Sequence, residues 1–339
     1  MIKRIKLKNF RNHTDFDLII NDRVNILIGE NGVGKTSILE GLFLISTGRS
    51  HRATKNDEVI KIDNEFALVE VLSDLDLLRH VTTKTSRRAF INNIEKRKIS
   101  EFVGKYKVVL FSPEDLDLIK GAPNVRRRFL DLNISQLNNN YINVLNRYKK
   151  ILKERNFLLK QGKDNYDNDL LDVYSLELIS LNMEIFDERK RFITDINKNL
   201  NEIFCNFTKG NIKIIYKPDL EKNRIEDHFL KNKKIDILNQ TTTRGIHRDE
   251  FMVLHNDYDA KGYSSQGFQR VIVLAIKLAL LRLLELENNN VLLLLDDVLS
   301  ELDENISKKL LESLNNGNQV FITSAVSINL DIKANIIKL

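Results

Sequence analysis

One glycine-rich stretch, at residues 29–37, decides the fold: Gly29-Glu30-Asn31-Gly32-Val33-Gly34-Lys35-Thr36-Ser37. It follows an apolar run at 24–28 that predicts a buried strand, and it precedes a segment at 38–44 with helical spacing. Between a strand and a helix, the pattern GxxxxGK[ST] cradles phosphates on backbone N–H groups. Lys35 is then predicted to contact the β- and γ-phosphates, and the Thr36 hydroxyl to hold Mg²⁺. The stretch therefore predicts a nucleoside triphosphate site.

A second motif lies at 291–297, where a run of aliphatic residues ends in Asp296 and Asp297. Such a run predicts a strand that is buried on both faces and carries carboxylates at its C-terminal edge. Beside a phosphate loop, Asp296 is predicted to take Mg²⁺ through water, and Asp297 to polarise the attacking water as a general base. The alternative, that two acids merely end a strand, is weakened by the glycine loop elsewhere in the chain.

A third motif consists of Ser264, Ser265, Gln266 and Gly267. It lies at the start of the helical stretch predicted at 264–287 and precedes the long apolar helix, which begins near Phe268. Small hydroxyl residues and a glycine at a helix N-terminus favour an anion. Taken alone, these residues more often form an ordinary helix cap. One chain needs only one phosphate loop. A second helix end that favours phosphate therefore indicates a contact with the phosphates bound by a neighbouring molecule. Residues 300–303, directly after the two acids, either cap the last helix or meet a second copy.

Composition bounds the class of protein. The chain has 339 residues, of which 42% are apolar and 29% charged, which is typical of a globular protein. The excess of 53 basic over 47 acidic side chains is compatible with an anionic partner without identifying one. The single cysteine, Cys205, is predicted to be a buried, inert thiol in a reducing compartment. Without a signal peptide or a membrane-spanning run, we expect a cytoplasmic protein that does not cross a membrane.

The order of predicted elements suggests one nucleotide-binding head with a helical insertion. Strands are expected in a hairpin at 2–20 and at 66–72, 79–85, 88–94, 108–111, 211–216 and 319–323. A polar basic segment at 48–52 is expected near the phosphates, and a helix is expected to start at Pro113. Residues 125–207 predict two helices of ~30 residues joined by a turn at 161–168, each about 45 Å long. We expect a loose element at 222–243, a last helix at about 303–315, and loop ends at the asparagine runs 138–140 and 288–290. The predicted domains are 1–124, 125–207 and 208–339.

These motifs, in this order, are the head motifs of the ABC/SMC class of ATPases. The chain resembles, over nearly its full length, the RecF family of bacterial DNA replication and repair proteins. The stretches that carry the resemblance are LKNFRNH, GENGVGKTSILEGL, VVLFSPEDLDLIKGAPNVRRRFLD, YKKILKERNFLLK, GIHRDEF, YSSQGFQR and LLLLDDVLSELD. The segments SPEDL…RRRFLD and GIHRDEF are specific to that family.

The resemblance implies an α/β fold: an ABC-type ATPase head with a mixed β-sheet, flanking helices, an antiparallel β subdomain and an inserted helical lid or short arm. It implies slow, DNA-dependent hydrolysis of ATP, with Mg²⁺, by an ATP-dependent homodimer. The homodimer would bind single-stranded, gapped and duplex DNA and aid recombinase loading with RecO and RecR, in recombinational repair and the SOS response. The phosphate loop falls on 29–36 within the ATP-binding stretch 29–37, with Lys35 catalytic, and the signature acting in trans falls on 264–267. The magnesium-binding acid falls on Asp296, the catalytic acid on Asp297, a Q-loop-like position on 112–115 and the D-loop on 300–303.

Two departures from the usual patterns bear on function. Phe268 follows the signature where the family usually has glutamine, and Thr323-Ser324 stand where transporters carry a switch histidine. A transporter-type ABC subunit is one alternative, but it would favour that histidine and a shorter helical subdomain. An SMC-like tether needs hundreds of heptad residues, and a small-molecule kinase leaves the signature and D-loop motifs unexplained.

Three basic clusters are candidates for DNA contact: Arg126, Arg127 and Arg128; Arg87 and Arg88 with 96–98; and Lys149, Lys150, Lys153 and Arg155. A charge run is usually a solvated face, so each cluster is open to either interpretation. No aromatic stacking positions are evident, which argues against base-specific readout.

Overall fold

The computed structural model describes residues 1–161, 167–286, 291–313, 317–325 and 334–339. Packing divides the chain into two compact units, Met1–Asp115 with Val273–Leu339, and Leu116–Ile272. The predicted domains at 1–124, 125–207 and 208–339 divide the chain by motif instead, and they stay a prediction. Within the described residues, no helix combines the length and apolar character that a membrane crossing requires.

The first unit contains a five-stranded sheet in which every neighbouring pair is parallel. Its strands, in sheet order, are Asn335–Lys338 (β14), Val24–Ile28 (β3), Gln319–Ser324 (β13), Val291–Asp296 (β12) and Lys107–Phe111 (β8). All residues of β12 and β13 are buried, as expected for central strands covered on both faces. Helix α1 (Lys35–Thr47) follows the glycine loop, and all its residues except Thr36 are buried. The predicted strand, loop and helix are confirmed; β14 was not predicted.

The second sheet of this unit is antiparallel and has six strands. In sheet order they are His13–Ile19 (β2), Ile2–Phe10 (β1), Phe66–Ser73 (β4), Leu77–Thr83 (β5), Arg87–Ile91 (β6) and Ile94–Glu95 (β7). The hairpin and the strands at 66–72 and 79–85 are confirmed. The single strand predicted at 88–94 is wrong, because Asn92 and Asn93 both have positive φ and turn the chain back as a tight hairpin.

The second unit begins with helices, and the prediction of two helices of equal length is wrong. The helices are Asp117–Lys120 (α2), Pro123–Leu137 (α3), Asn139–Lys160 (α4) and Asn168–Phe207 (α5). Asn138 breaks the pattern because its backbone is extended (φ −134°, ψ 103°) and its side chain accepts a hydrogen bond from the N–H of Asn140. Most of the predicted turn at 161–168 lies outside the described residues.

The stretch predicted as a loose element, 222–243, is instead ordered. It forms helices α6 (Ile225–Lys231) and α7 (Lys233–Asn239). The reason is a buried ion pair, in which the Arg155 guanidinium of α4 contacts the Asp236 carboxylate of α7 at 2.8 Å. The hydrophobic pattern of the sequence does not predict these helices, because they are short and largely hydrophilic and their order depends on this ion pair.

The remaining elements of the second unit form a small sheet and the start of a long helix. They are Ile212–Lys217 (β9), Glu250–His255 (β10), Tyr258–Asp259 (β11), Ala260–Tyr263 (α8) and Gln266–Glu285 (α9). The predicted strand β9 and helix α9 are confirmed, while β10 and β11 were not predicted. The last helix, Glu304–Ser313 (α10), is confirmed over the residues described there, and the asparagine run 288–290 lies outside them. Cys205 is exposed rather than buried, because its neighbour Phe204 takes the inward-facing position on α5.

Candidate nucleotide site

The glycine loop joins β3 to α1 through residues with a backbone that favours glycine. Gly32 and Gly34 have φ of 93° and 108°. A Cβ atom on Gly34 would also lie 2.3 Å from Nε2 of His13, so a side chain here would have to displace the imidazole ring. The Lys35 ammonium donates to the carbonyl oxygens of Gly29 (2.7 Å) and Glu30 (2.9 Å), which ties the two ends of the loop together.

The C-terminal end of β12 lies beside this loop. The Thr36 hydroxyl donates to Oδ1 of Asp296 at 2.9 Å, and the Thr323 hydroxyl donates to the same oxygen at 2.8 Å. The backbone N–H of Asp297 donates to the Thr323 hydroxyl oxygen at 2.9 Å. The structure therefore brings together Lys35, Thr36 and both predicted acids, with Thr323 linking the acids to β13.

The environment of Asp296 fits a hard divalent cation. Burial raises the pKa of Asp296, the charges of Glu114 and Asp297 add to the rise, and hydrogen bonds from Thr323 and Thr36 oppose it. Its hydrogen-bond partners among the described residues are hydroxyl groups rather than cations. A carboxylate and a hydroxyl are oxygen ligands of the kind Mg²⁺ takes, so Thr36 and Asp296 would hold this ion. When bound, Mg²⁺ supplies charge neutralisation at phosphate oxygens.

A cavity of about 660 Å³ opens over the loop and is lined by Lys35, Thr36, Ser37 and Asp297. A cavity of this size suits a small-molecule ligand. Arg52, from the basic segment predicted near the phosphates, also lines it. Further lining residues that sequence reasoning missed come from two other segments: Arg11, Asn12, Glu58, Ile60, Lys61 and Ile62.

The contribution of the β1–β2 turn to the cavity was not predicted, although α1 contains a residue that points to it. Glu40 is fully buried there, and a buried carboxylate requires a cationic partner. Arg11 supplies it, donating from Nε (2.8 Å) and from its terminal nitrogen (2.6 Å) to the two carboxylate oxygens. The next residue, Asn12, donates its side-chain amide to the carbonyl oxygen of Gly32 at 3.1 Å. The turn thus anchors the helix and the glycine loop together.

The signature residues lie in the second unit, at the start of α9. Ser265, Gln266 and Gly267 are exposed, while Ser264 is half-buried. The Ser265 hydroxyl oxygen accepts from the backbone N–H of Phe268 at 3.4 Å, which is the cap expected of such a residue. The helix end is therefore capped and open to solvent.

The predicted Q-loop-like and D-loop positions have internal partners. Residues Pro113–Leu116 form a 3₁₀ turn at the predicted helix start. The Asp115 carboxylate accepts from the backbone N–H of Ser112 (2.8 Å) and from the ammonium of Lys277 (2.6 Å). In the D-loop, the Ser300 hydroxyl donates to the carbonyl oxygen of Asp297 at 2.6 Å. Asp303 caps α10, since its carboxylate accepts from the N–H of Ile306 at 2.9 Å.

Two residues of the basic clusters are unsuited to DNA contact. Arg126 is buried, and its guanidinium contacts the Glu250 carboxylate and the carbonyl oxygen of Gly121. Arg155 is fully buried in its pair with Asp236. These cations hold the second unit together, so their inclusion among candidate DNA contacts is wrong. The members that remain exposed are Arg87, Arg88, Arg97, Lys98, Arg128, Lys149, Lys150 and Lys153.

Comparison with known proteins first defines the class. The family model described as RecF/RecN/SMC N terminal domain matches residues 1–338. A solved Smc head, bound to the C-terminal winged-helix domain of ScpA, has the same fold with a TM-score of 0.51, at 15% identity over 95% of this chain and 89% of the other. The fold is therefore that of an ABC/SMC-type ATPase head, as predicted.

The relatives narrow this class. The DNA replication and repair protein RecF of Acholeplasma laidlawii is 42% identical, covering 97% of this chain and 95% of the relative. The RecF protein of Bacillus cereus strain G9842 is 35% identical, covering 95% of this chain and 91% of the relative. The structure of the recombination mediator protein RecF-ATP in the RecFOR pathway superposes with a TM-score of 0.91, at 32% identity over 97% of this chain and 93% of the other. The chain belongs to the RecF family of DNA replication and repair proteins.

Proposed function

We propose that this chain binds ATP with Mg²⁺ in the cavity over the glycine loop and forms a homodimer when ATP is bound. It hydrolyses ATP slowly in response to DNA, and it binds single-stranded, gapped and duplex DNA. The observation that carries the proposal is the contact of the Thr36 hydroxyl with Asp296 at 2.9 Å, beside a cavity lined by Lys35 and Asp297. The elements of a phosphate site and a cation site meet there in one unit.

The phosphates would be held by this chain's own groups. The Lys35 ammonium, now on the carbonyl oxygens of Gly29 and Glu30, would turn to the β- and γ-phosphates. The backbone N–H groups of residues 29–37 and the positive end of α1 would surround the same anion. Thr36 and Asp296 would hold Mg²⁺ at its edge.

Asp297 is proposed as the general base. It lines the cavity, its backbone lies in the left-handed region (φ 53°), and its N–H is fixed on Thr323. Because Asp297 lines the cavity, a water there could lie between its carboxylate and a phosphate. The carboxylate would accept the proton of that water as it attacks.

The dimer is proposed because the signature end of α9 is exposed and capped, as a site that acts in trans requires. Residues 264–267 of one protomer would approach the nucleotide held by residues 29–37 of its partner. The partners RecO and RecR, recombinase loading, recombinational repair and the SOS response come from the family and from the RecFOR pathway named for its solved relative. A cytoplasmic location belongs to the same proposal, since DNA is the proposed binding partner.

The test is a pair of substitutions with separate expected results. Lys35→Ala should weaken ATP binding more than about tenfold, because it removes a charged contact worth ~1.5–3 kcal/mol. Asp297→Asn should keep ATP binding, accumulate the ATP-bound dimer, and slow hydrolysis by about 10²- to 10⁴-fold. Fluorescent ATP titration, sedimentation and phosphate release measure the three properties.

The matched control is Lys8→Ala. Lys8 is an exposed lysine of β1 and does not line the cavity. Its loss should leave hydrolysis within a few-fold of the parent chain. Equal loss of ATP affinity in Lys35→Ala and Asp297→Asn would contradict the separate roles.

A further inference from the structure

His255, the last residue of β10, makes the side-chain contact that fixes the first signature residue. Its Nδ1 atom lies 2.8 Å from the hydroxyl oxygen of Ser264. Its ring packs against Phe204 at the end of α5 (5.6 Å between ring centroids) and against Phe268 in the first turn of α9 (5.0 Å). The departure from the usual glutamine at position 268 thus supplies one wall of the histidine pocket.

The direction of the hydrogen bond follows from the neighbouring amides. The backbone N–H of Asn211 can only donate, and it donates to Oδ1 of Asn256 at 2.9 Å. The Asn256 side-chain nitrogen is therefore the atom that faces Nε2 of His255, at 3.5 Å. An amide nitrogen only donates, so Nε2 accepts and the ring proton lies on Nδ1.

This tautomer determines what Ser264 can do. With Nδ1–H donating to its oxygen, the hydroxyl keeps its own proton for another acceptor. A second contact steadies the same corner: the buried Gln269 amide donates to the carbonyl oxygens of Ser264 and Ala260, both at 3.0 Å. Ser264 is thus held by its backbone and by its side chain, at the N-terminal end of a helix that favours anions.

We infer that His255 is a positioning residue for the signature segment, which it holds in place through the side chain of Ser264 at the start of α9. The segment so positioned meets a phosphate of the partner's nucleotide, and in that respect the inference rests on the proposed function. His255 itself touches no phosphate.

The first experiment needs no nucleotide. Selective ¹⁵N-histidine labelling of the full chain resolves six histidines, and the His255 signals are those lost in His255→Phe. We expect a pyrrole-type nitrogen at Nδ1 and a pyridine-type nitrogen at Nε2 in the parent chain. We also expect faster amide hydrogen exchange over residues 264–269 in His255→Phe and in Ser264→Ala. A proton on Nε2, or unchanged exchange in both variants, would overturn the inference.

The second experiment separates hydrogen bonding from packing. His255→Phe keeps the aromatic contacts with Phe204 and Phe268 but loses Nδ1, whereas His255→Asn keeps a donor near that position and loses the ring. We expect His255→Phe to weaken ATP-dependent dimerisation about fivefold, the effect of one hydrogen bond, with ATP affinity of the monomer unchanged. His255→Asn should recover most of the dimerisation that His255→Phe loses. Because His255 acts only through Ser264, the double variant His255→Phe/Ser264→Ala should lose no more dimerisation than Ser264→Ala alone.

His228→Phe is the control, since that ring packs on Phe229 and contacts Asn232 within the region of α6. If His255→Asn is as defective as His255→Phe, or if His255→Phe dimerises like the parent chain, positioning by the hydrogen bond is wrong. If the parent chain itself fails to dimerise with ATP, the proposed function is overturned, while the labelling and exchange measurements still decide the role of His255.

Discussion

At the scale of single residues, buried ionisable groups divide into those whose charge has a compensating partner or site and those whose charge has none. Asp296 has hydroxyl partners in a position suited to a cation, and Glu40 has the guanidinium of Arg11. His80 is different: it is fully buried in β5, and Thr82 contacts its Nδ1 atom at 3.2 Å. Burial, followed by the nearby charge of Arg87, lowers the pKa of His80 to about 4.

That shift predicts a loss of stability in acid. The folded-state pKa lies below the usual value of about 6.5, so the unfolded chain binds the proton more readily. The contribution of neutral His80 to the free energy of unfolding is fully present above pH 6.5. It is lost as the pH falls towards 4, by about 1.4 kcal/mol per pH unit and ~3 kcal/mol in all. Denaturant unfolding at pH 7 and pH 5 should show about 2 kcal/mol of this loss for the parent chain and a smaller loss for His80→Phe.

The control for acid sensitivity is Val71→Ala, a cavity on the neighbouring strand β4. It should lower the free energy of unfolding by a similar amount at both pH values, because no ionisable group is changed. An undiminished pH dependence in His80→Phe would show that other groups account for acid sensitivity.

How well a residue's role could be predicted depends on whether its partner is near in sequence. Lys35 contacts carbonyl oxygens of its own loop, so its position follows from spacing alone. Arg11 and Arg155 acquire their roles from Glu40 and Asp236, 29 and 81 residues away, and no local pattern records those pairs. Arg126 and Arg155 were taken for surface charges for the same reason, because their acidic partners are distant in sequence.

At the scale of elements, predictions succeeded where hydrophobic period was strong and failed where polar contacts decide. The apolar strands β3 and β12 were predicted within a residue. Helices α6 and α7 were missed, because their order depends on the pair between Arg155 and Asp236. The break between α3 and α4 was also missed, because it depends on one residue, Asn138, whose side chain caps the start of α4.

The Arg155 pair predicts a large and recoverable destabilisation. Arg155→Met should lower the free energy of unfolding by about 3–5 kcal/mol, since it leaves the Asp236 carboxylate buried without its cation. Adding Asp236→Leu should restore much of the loss, because both charges are then absent. Denaturant titration measures all three chains; Lys153→Met, an exposed position on the same helix, should change little. A double variant weaker than Arg155→Met would argue against the pair as the cause.

At the scale of the whole molecule, the exposed lysines predict how DNA is bound. If contacts are to phosphate, the logarithm of the binding constant should fall with the logarithm of salt by about 0.9 per phosphate neutralised on duplex DNA. Lys149→Glu with Lys150→Glu should weaken binding to all sequences alike and flatten that slope by about 1 per lost contact. Lys231→Glu, an equal kind of charge change on α6, is the control. A flat salt dependence in the parent chain would exclude these basic faces.

The last prediction concerns assembly. If each nucleotide lies between residues 29–37 of one chain and residues 264–267 of its partner, ATP joins a twofold dimer at two equivalent sites. The γ-phosphate distinguishes bound from released, so ADP should not support association. Ser265→Arg adds a long cation at the exposed start of α9. It should leave ATP binding to the monomer intact while preventing dimerisation and hydrolysis.

Mixing tests whether the signature acts in trans. In a mixed dimer of Ser265→Arg and Lys35→Ala, one site combines both defects, whereas the other combines an intact phosphate loop with an intact signature. Two inactive chains should therefore recover hydrolysis when mixed, at no more than one working site per dimer. Asn239→Arg, which adds the same side chain to an exposed position on α7, should behave as the parent chain does. If Ser265→Arg chains still dimerise with ATP at the parent's concentrations, residues 264–267 do not act on the partner's nucleotide.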